Sequence, residues 1–286
     1  MAAPEKGRRK FLARLTLMII VLPLLYVLVF ELPYVDFLVL NLWIIGVSLF
    51  AGREVERFFE ARGLATHKWL APVLGATVPL ASYLEVSGLI NGRFFPVWLC
   101  VLPIIVLLRS LVVKGERHLD RLLEKISSSF FVIIYPGFFL SFVVRMTAME
   151  AASYVLLFFL CMIFTNDILA YLVGRFLARG LLKLAISPNK TLAGFTAGFA
   201  GSVIMSCVFH FSFPWLFSRS LGWTLALGVL IGLGTIAGDL IESALKRSAH
   251  VKDSGSVMIG RGGLMDSIDS ILFCAPLFYL VFRLIR

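Results

Sequence analysis

Charge is scarce in this chain. Of 286 residues only 15% are Asp, Glu, Lys or Arg and 59% are hydrophobic, above the roughly 45–50% apolar share of soluble domains, so a soluble enzyme is excluded. Cysteine is sparse as well. Cys100, Cys161, Cys207 and Cys274 all fall inside apolar runs, with no CxxC pair or other metal-ligand spacing, and read as packing residues rather than a disulfide scaffold or a zinc site. His67, His118, His210 and His250 likewise have no partner at ligand spacing. There is no repeat of fixed period, no linker long enough to set off a soluble domain and no Walker A loop, and the long apolar runs exclude disordered and collagen-like chains.

What is abundant is apolar sequence in lengths that suit a bilayer, since a helical span needs about 20 mostly apolar residues. With Pro, Gly and charge as punctuation, about nine spans follow: 12–31, 34–50, 69–90, 94–113, 127–146, 150–173, 192–211, 222–243 and 267–284. The first, preceded by Lys6, Arg8, Arg9 and Lys10, has the look of a signal peptide. It lacks a small-residue cleavage site and another span follows at once, so it reads as a retained helix. The expected fold is all-α: a polytopic integral membrane protein with a cytoplasm-facing polar cavity, with about five spans in residues 1–150, about four in 151–286, and one integral domain overall. Segment 114–126 places Leu119, Leu122, Leu123 and Ile126 on one face, which suits a short helix at the cytoplasmic interface or a solvated loop-helix. With a cytoplasmic N-terminus, 22 of the 27 basic residues fall on the cytoplasmic side, as the positive-inside rule requires. The net charge of +10 is therefore a topology signal, and no nucleic-acid partner is expected.

The acids divide at about position 150. Earlier ones fall mostly in loops or at span ends, where charge is usually a solvated face; Glu85, inside the third span and with no evident partner, reads as a helix-end residue at the outer interface. Later ones gather: Asn166 and Asp167 near the end of span six, Asp239 and Glu242 near the end of span eight, and Asp253, Asp266 and Asp269 in or beside the last cytoplasmic loop. Span parity puts all three sets at the same membrane side. Asp266 and Asp269 are three apart, and Asp239, Glu242 and Ser243 stand at i, i+3 and i+4, so each set shares a helix face. Carboxylates with few His or Cys neighbours are hard-oxygen ligands that fit Mg²⁺ rather than zinc. Helix-end charges paired with nearby Lys and Arg are the plainer account of the same spacing.

Beside these acids lie Ser187, Pro188, Asn189, Lys190 and Thr191, then Lys246, Arg247, Lys252 and the run Gly255, Gly260, Arg261, Gly262, Gly263. Glycine lets backbone amides approach phosphoryl oxygens, and Lys or Arg neutralises them; alone, the same run would be an ordinary flexible loop. Metal-binding acids and phosphate-binding bases on one face together describe phosphoryl or nucleotidyl transfer to a lipid headgroup. Gly194, Gly198, Gly201 and Ser202 in span seven allow close helix contact, a structural role.

The stretch Ser243 to Asp269 resembles the C-terminal signature of the phosphatidate cytidylyltransferase (CDP-diacylglycerol synthase) family: Ser243, Lys246, Arg247, Lys252, Asp253, Gly255, Gly262, Gly263, Asp266 and Asp269 fall at matching positions. Two upstream blocks, 166–175 and 187–194, and the triplet Gly238-Asp239-Leu240 are similar to other family blocks. Three departures stand out. Arg261 occupies the place of the usual His, Ser267 that of the usual Arg, and Met258-Ile259 that of a common Leu or Ile followed by Pro. They are consistent with a guanidinium moved from 267 to 261, or with drift.

The resemblance implies transfer of CMP from CTP to phosphatidic acid, giving CDP-diacylglycerol and pyrophosphate, in a bacterial inner membrane with the active site facing the cytoplasm; a homodimer is one assembly it allows. It implies that Asp239, Asp266 and Asp269 hold Mg²⁺, paired with a second cation such as K⁺. Lys190, Lys246, Arg247, Lys252 and Arg261 would neutralise phosphates, with Ser187 and Ser243 as hydroxyl partners and Gly262 and Gly263 in the loop. Asp253 would orient Lys252 or take a metal, and Asn166 and Asp167 would shape the cavity. Competing readings are a CTP-dependent polyprenol or diacylglycerol kinase, and an ion-coupled transporter, which would need midplane acids and inverted repeats.

Overall fold

The computed structural model describes residues 23–112, 119–177, 187, 190–251, 254–255 and 262–286. Among these, all the long elements are helices. We number them α1 (Tyr34–Ala61), α2 (Leu70–Val86), α3 (Phe94–Ser110), α4 (Leu122–Met146), α5 (Ala152–Phe176), α6 (Leu192–Ser212), α7 (Leu221–Ser248) and α8 (Met265–Ile285). Six are long and apolar enough to cross a membrane, and α2 and α3 are shorter apolar helices of 17 residues. The chain is thus a multi-pass helical membrane protein. Spans two to nine of the hydropathy pattern correspond to these eight helices. Most of the first lies outside the described residues; its end, Val27–Glu31, is a π turn.

The helix of the second span continues past the apolar run to Ala61, with Arg53 paired along it to both Glu56 and Glu60. Of the expected interfacial segment, Leu119 is helical, 120–121 form a turn and Leu122–Ile126 the first turns of α4, while 114–118 lie outside the described residues.

The chain divides into two compact units, Met1–Ala148 with Ser248–Ile268, and Met149–Arg247 with Asp269–Arg286. In the first, Leu74, Val78 and Ala81 of α2 pack with Phe95, Leu102 and Val106 of α3 and Ile133 of α4. Pro136 cannot donate a main-chain hydrogen bond, and α4 accommodates it by widening to a π turn over Ile133–Phe138. A Cβ on Gly137 there would stand 2.6 Å from the Gly75 carbonyl oxygen, so α2 and α4 cross backbone to backbone. Glu85 is the one early acid the sequence singled out, and here the structure supplies the missing partner: it pairs with Arg145 at 3.1 Å and accepts from the Phe95 amide at 3.0 Å, while Arg145 stacks on the Phe95 ring at 4.1 Å. It therefore ties α2, α3 and α4 together.

In the second unit α5 and α6 meet through small residues. A Cβ on Gly198 would lie 2.8 Å from the Asn166 carbonyl oxygen and 3.0 Å from the Ala170 Cβ, and one on Gly194 would lie 2.8 Å from the Ala170 carbonyl oxygen. Membrane helices gain little from hydrophobic exclusion against each other, so such close approach is what dispersion and interhelical hydrogen bonds require. Farther along, Phe158 of α5 is fully buried among Phe209, Phe278 and Phe282.

Gly198→Val should destabilise the protein by about 1–3 kcal/mol, the usual cost of overpacking, and lower its unfolding temperature in detergent. Gly46→Ala, where a Cβ would meet nothing within 4 Å, should leave that temperature unchanged or slightly raised.

Candidate functional site

The sequence brings three acids of the second unit to like ends of their helices, and the structure brings them into each other's fields. Asp269, in the second turn of α8, experiences the charges of Asp239 on α7 and Asp167 on α5, with Lys246 of α7 as a counter-charge. Lys190, just ahead of α6, forms an ion pair with half-exposed Asp239 and lies over the Phe195 ring at 5.4 Å. Asp167 is exposed, whereas its neighbour Asn166 is buried. The Asn166 amide donates to the Ser202 hydroxyl at 3.1 Å and to the Gly232 carbonyl at 3.2 Å, fastening α5 to α6 and α7. Adjacent residues thus divide the work: Asn166 braces the helices and Asp167 faces outward from them.

Other predicted residues carry local duties too. Lys246 pairs at 2.6 Å with buried Glu242, one turn back on α7. Ser243 lies on the same turn, and Arg247 is exposed at the helix end. Ser187 accepts from the Lys190 amide through its carbonyl oxygen. Thr191, expected among phosphate-binding residues, caps α6: its hydroxyl accepts from the Gly194 amide at 3.0 Å, a standard use of Thr at a helix start. Lys252, Asp253, Gly260 and Arg261 lie outside the described residues.

In the first unit the described signature residues fold around two carboxylates. Asp266, in the first turn of α8, accepts through Oδ2 from the Gly263 amide at 2.9 Å and the Ser254 amide at 3.1 Å. Gly262 alone among the described signature glycines has a positive φ, of 104°, and so uses glycine's conformational freedom. The second carboxylate, Glu54 of α1, is 2% exposed. It accepts from the Leu264 amide at 2.9 Å, the Met265 amide at 2.8 Å and the Ser254 hydroxyl at 3.1 Å. Burying an ionised carboxylate is costly unless it is hydrogen-bonded, and these donors offset that cost.

The expectation that early acids are solvated fails here. Glu54 and Glu56 are both buried, and Glu56 is met by Arg53 and, at 3.3 Å, by the Trp69 amide. A signal existed in the pattern Val47, Ala51, Val55, Phe58, the buried stripe of α1; Glu54 lies three residues after Ala51 and four before Phe58, so helical periodicity puts it on that stripe.

Among the described residues no three His, Cys, Asp or Glu side chains converge to hold a metal ion by themselves. The donor chemistry nonetheless suits Mg²⁺, because Asp167, Asp239 and Asp269 offer oxygen only and Mg²⁺ is typically held by one or two carboxylates together with substrate phosphates.

Fold and site together define a multi-pass helical membrane protein with an acid and amine cluster suited to phosphate chemistry. The profile of the Cytidylyltransferase family matches residues 12–285, and the chain belongs to that family. It is 36% identical over 154 residues to the phosphatidate cytidylyltransferase of Bacillus subtilis, 53% of this chain and 56% of the relative. Against that of Thermotoga maritima it is 32% identical over 174 residues, 60% of this chain and 64% of the relative. A third relative, the uncharacterized protein YnbB of Escherichia coli, is 32% identical over 203 residues, 68% of this chain and 66% of the relative. The chain thus spans about two thirds or less of the curated relatives it matches.

Asn166→Ala should lower the unfolding temperature in detergent, since losing a buried hydrogen-bonding partner costs about 1–3 kcal/mol. Asp167→Asn, exposed and one residue away, should leave it within about a degree, as surface substitutions generally do.

Proposed function

We propose that this chain is a CTP:phosphatidate cytidylyltransferase, transferring CMP from CTP to phosphatidic acid and releasing pyrophosphate. The observation that carries the reading is the grouping of Asp167, Asp239 and Asp269 with Lys190 and Lys246 in one electrostatic neighbourhood. Membership of the family and the names of its relatives support the choice of reaction. A lipid phosphate oxygen attacks the α-phosphorus of CTP; the new P–O bond forms as the bond to the bridging oxygen of pyrophosphate breaks. The attacking phosphate is already anionic near neutral pH, so positioning and charge neutralisation dominate over general-base catalysis.

Asp239 and Asp269 would hold Mg²⁺, with Asp266 one turn ahead of Asp269 on α8 and K⁺ as a candidate second cation. When bound, Mg²⁺ neutralises the phosphates and polarises the reacting phosphorus. Lys190 is paired with Asp239 and can exchange that carboxylate for a substrate phosphate, an exchange of one charge-assisted bond for another. Lys246, held by Glu242, presents a second ammonium. Arg247, Lys252 and Arg261 are further phosphate ligands in this reading, and Asp253 would orient Lys252 or take a metal. The basic residue distribution supports a cytoplasmic N-terminus and a site facing the cytoplasm, and bacterial relatives support an inner-membrane location.

Purified protein given CTP, phosphatidic acid and Mg²⁺ should release pyrophosphate in step with formation of a cytidine-containing lipid, and chelation by EDTA should stop it. Release of CDP in place of pyrophosphate would overturn the reading in favour of a kinase. Asp269→Asn and Asp239→Asn should each lower kcat about 100-fold or more, as loss of transition-state charge stabilisation does, with unfolding temperatures near that of the unaltered protein; full activity in either would remove the ligand assignment.

A further inference from the structure

Glu54 stands about 200 residues upstream of the signature loop, yet among the described residues the donors that meet its carboxylate all come from that loop and the start of α8: the Ser254 hydroxyl and the Leu264 and Met265 amides. These two amides belong to the N-terminus of α8, the positive end of its dipole and an ordinary landing place for phosphate. With Glu54 on Leu264 and Met265, and Asp266 on Gly263, three successive amides are engaged by the protein's own carboxylates.

The same contact accounts for two glycines. A Cβ on Gly255 would run into the Glu54 carboxylate, and one on Gly263 would meet the Ser254 hydroxyl and Glu54 Oε2. Neither glycine has a positive φ, so what each supplies is room beside Glu54 rather than backbone freedom. Glu54 cannot swing aside cheaply, because it is buried and bonded to three donors.

We propose that Glu54 is the positioning residue of the signature loop: seated on the Ser254 hydroxyl and the Leu264 and Met265 amides, it fixes Ser254–Gly255 against Gly263–Asp266 and keeps substrate phosphate off the N-terminus of α8. Its effect on turnover rests on the cytidylyltransferase reading; its hold on the loop does not. Asp266 then owes its placement to two neighbours, its own bonds to the Gly263 and Ser254 amides and the Glu54 carboxylate behind them.

Hydrogen–deuterium exchange of the full chain in detergent, read on the peptide covering 263–268, separates the two questions. Glu54→Gln places an amide nitrogen among donors and should speed exchange there about tenfold or more, the signature of local opening. It should also lower kcat about 30-fold with the KM for CTP changed less than about threefold. Gly255→Ala should do the same by displacing Glu54, and adding Glu54→Asp, which withdraws the carboxylate from the new methyl group, should cost less than the two losses combined. Unchanged exchange in both single variants, or strictly additive losses in the double variant, would overturn the proposal. Should Glu54→Gln fail to fold, Gly255→Ala and its double variant decide by the same readouts. If even the unaltered protein makes no cytidine lipid, exchange still judges Glu54, and only the proposed reaction falls.

Discussion

An acid inside a membrane-spanning helix must be met by donors or cations, and the interior acids of this chain are sorted by what meets them. Glu85 has Arg145 and the Phe95 amide, Glu242 has Lys246, and Glu54 has two helix-start amides and a hydroxyl. These are structural settlements, within one helix for Glu242, between helices for Glu85 and between a helix and a loop for Glu54. Asp167, Asp239 and Asp269 differ: Asp269 lies in the field of the other two, with Lys246 opposing it and Lys190 paired to Asp239. Carboxylates brought together in this way are a common mark of a functional site.

Glycine serves two physical ends in the same molecule. On α6 it brings backbones together, and Gly194 and Gly198 leave no space for a side chain against α5. In the signature loop Gly255 and Gly263 make room for a carboxylate, and only Gly262 turns the chain through a positive φ. A motif rich in glycine therefore need not be a flexible phosphate cradle: most of its described glycines are places where something else already stands.

Much of this was legible beforehand. Eight of the expected spans correspond to helices because hydropathy reports burial in lipid directly, and among the acids that span parity set on one side, Asp269 does lie in the field of Asp167 and Asp239. What was missed has one cause. Glu54 looks solvated because its partners are some 200 residues away and are mostly backbone amides, which no side-chain pattern announces. Thr191, read beside the phosphate-binding bases, also caps α6, because hydroxyls serve caps and substrates alike. Sequence conveyed where charge is located, but the identity of a charged group's partner depends on tertiary contact.

The central claim is that the carboxylate cluster serves nucleotidyl transfer to a lipid phosphate rather than transfer of a terminal phosphoryl group. The most direct measurement supplies the purified protein with phosphatidic acid, Mg²⁺ and CTP radiolabelled at either the α- or the γ-phosphate, then counts the extracted lipid. Label should enter the lipid from α-labelled CTP alone. Label arriving from the γ-phosphate, or from neither, would contradict the account.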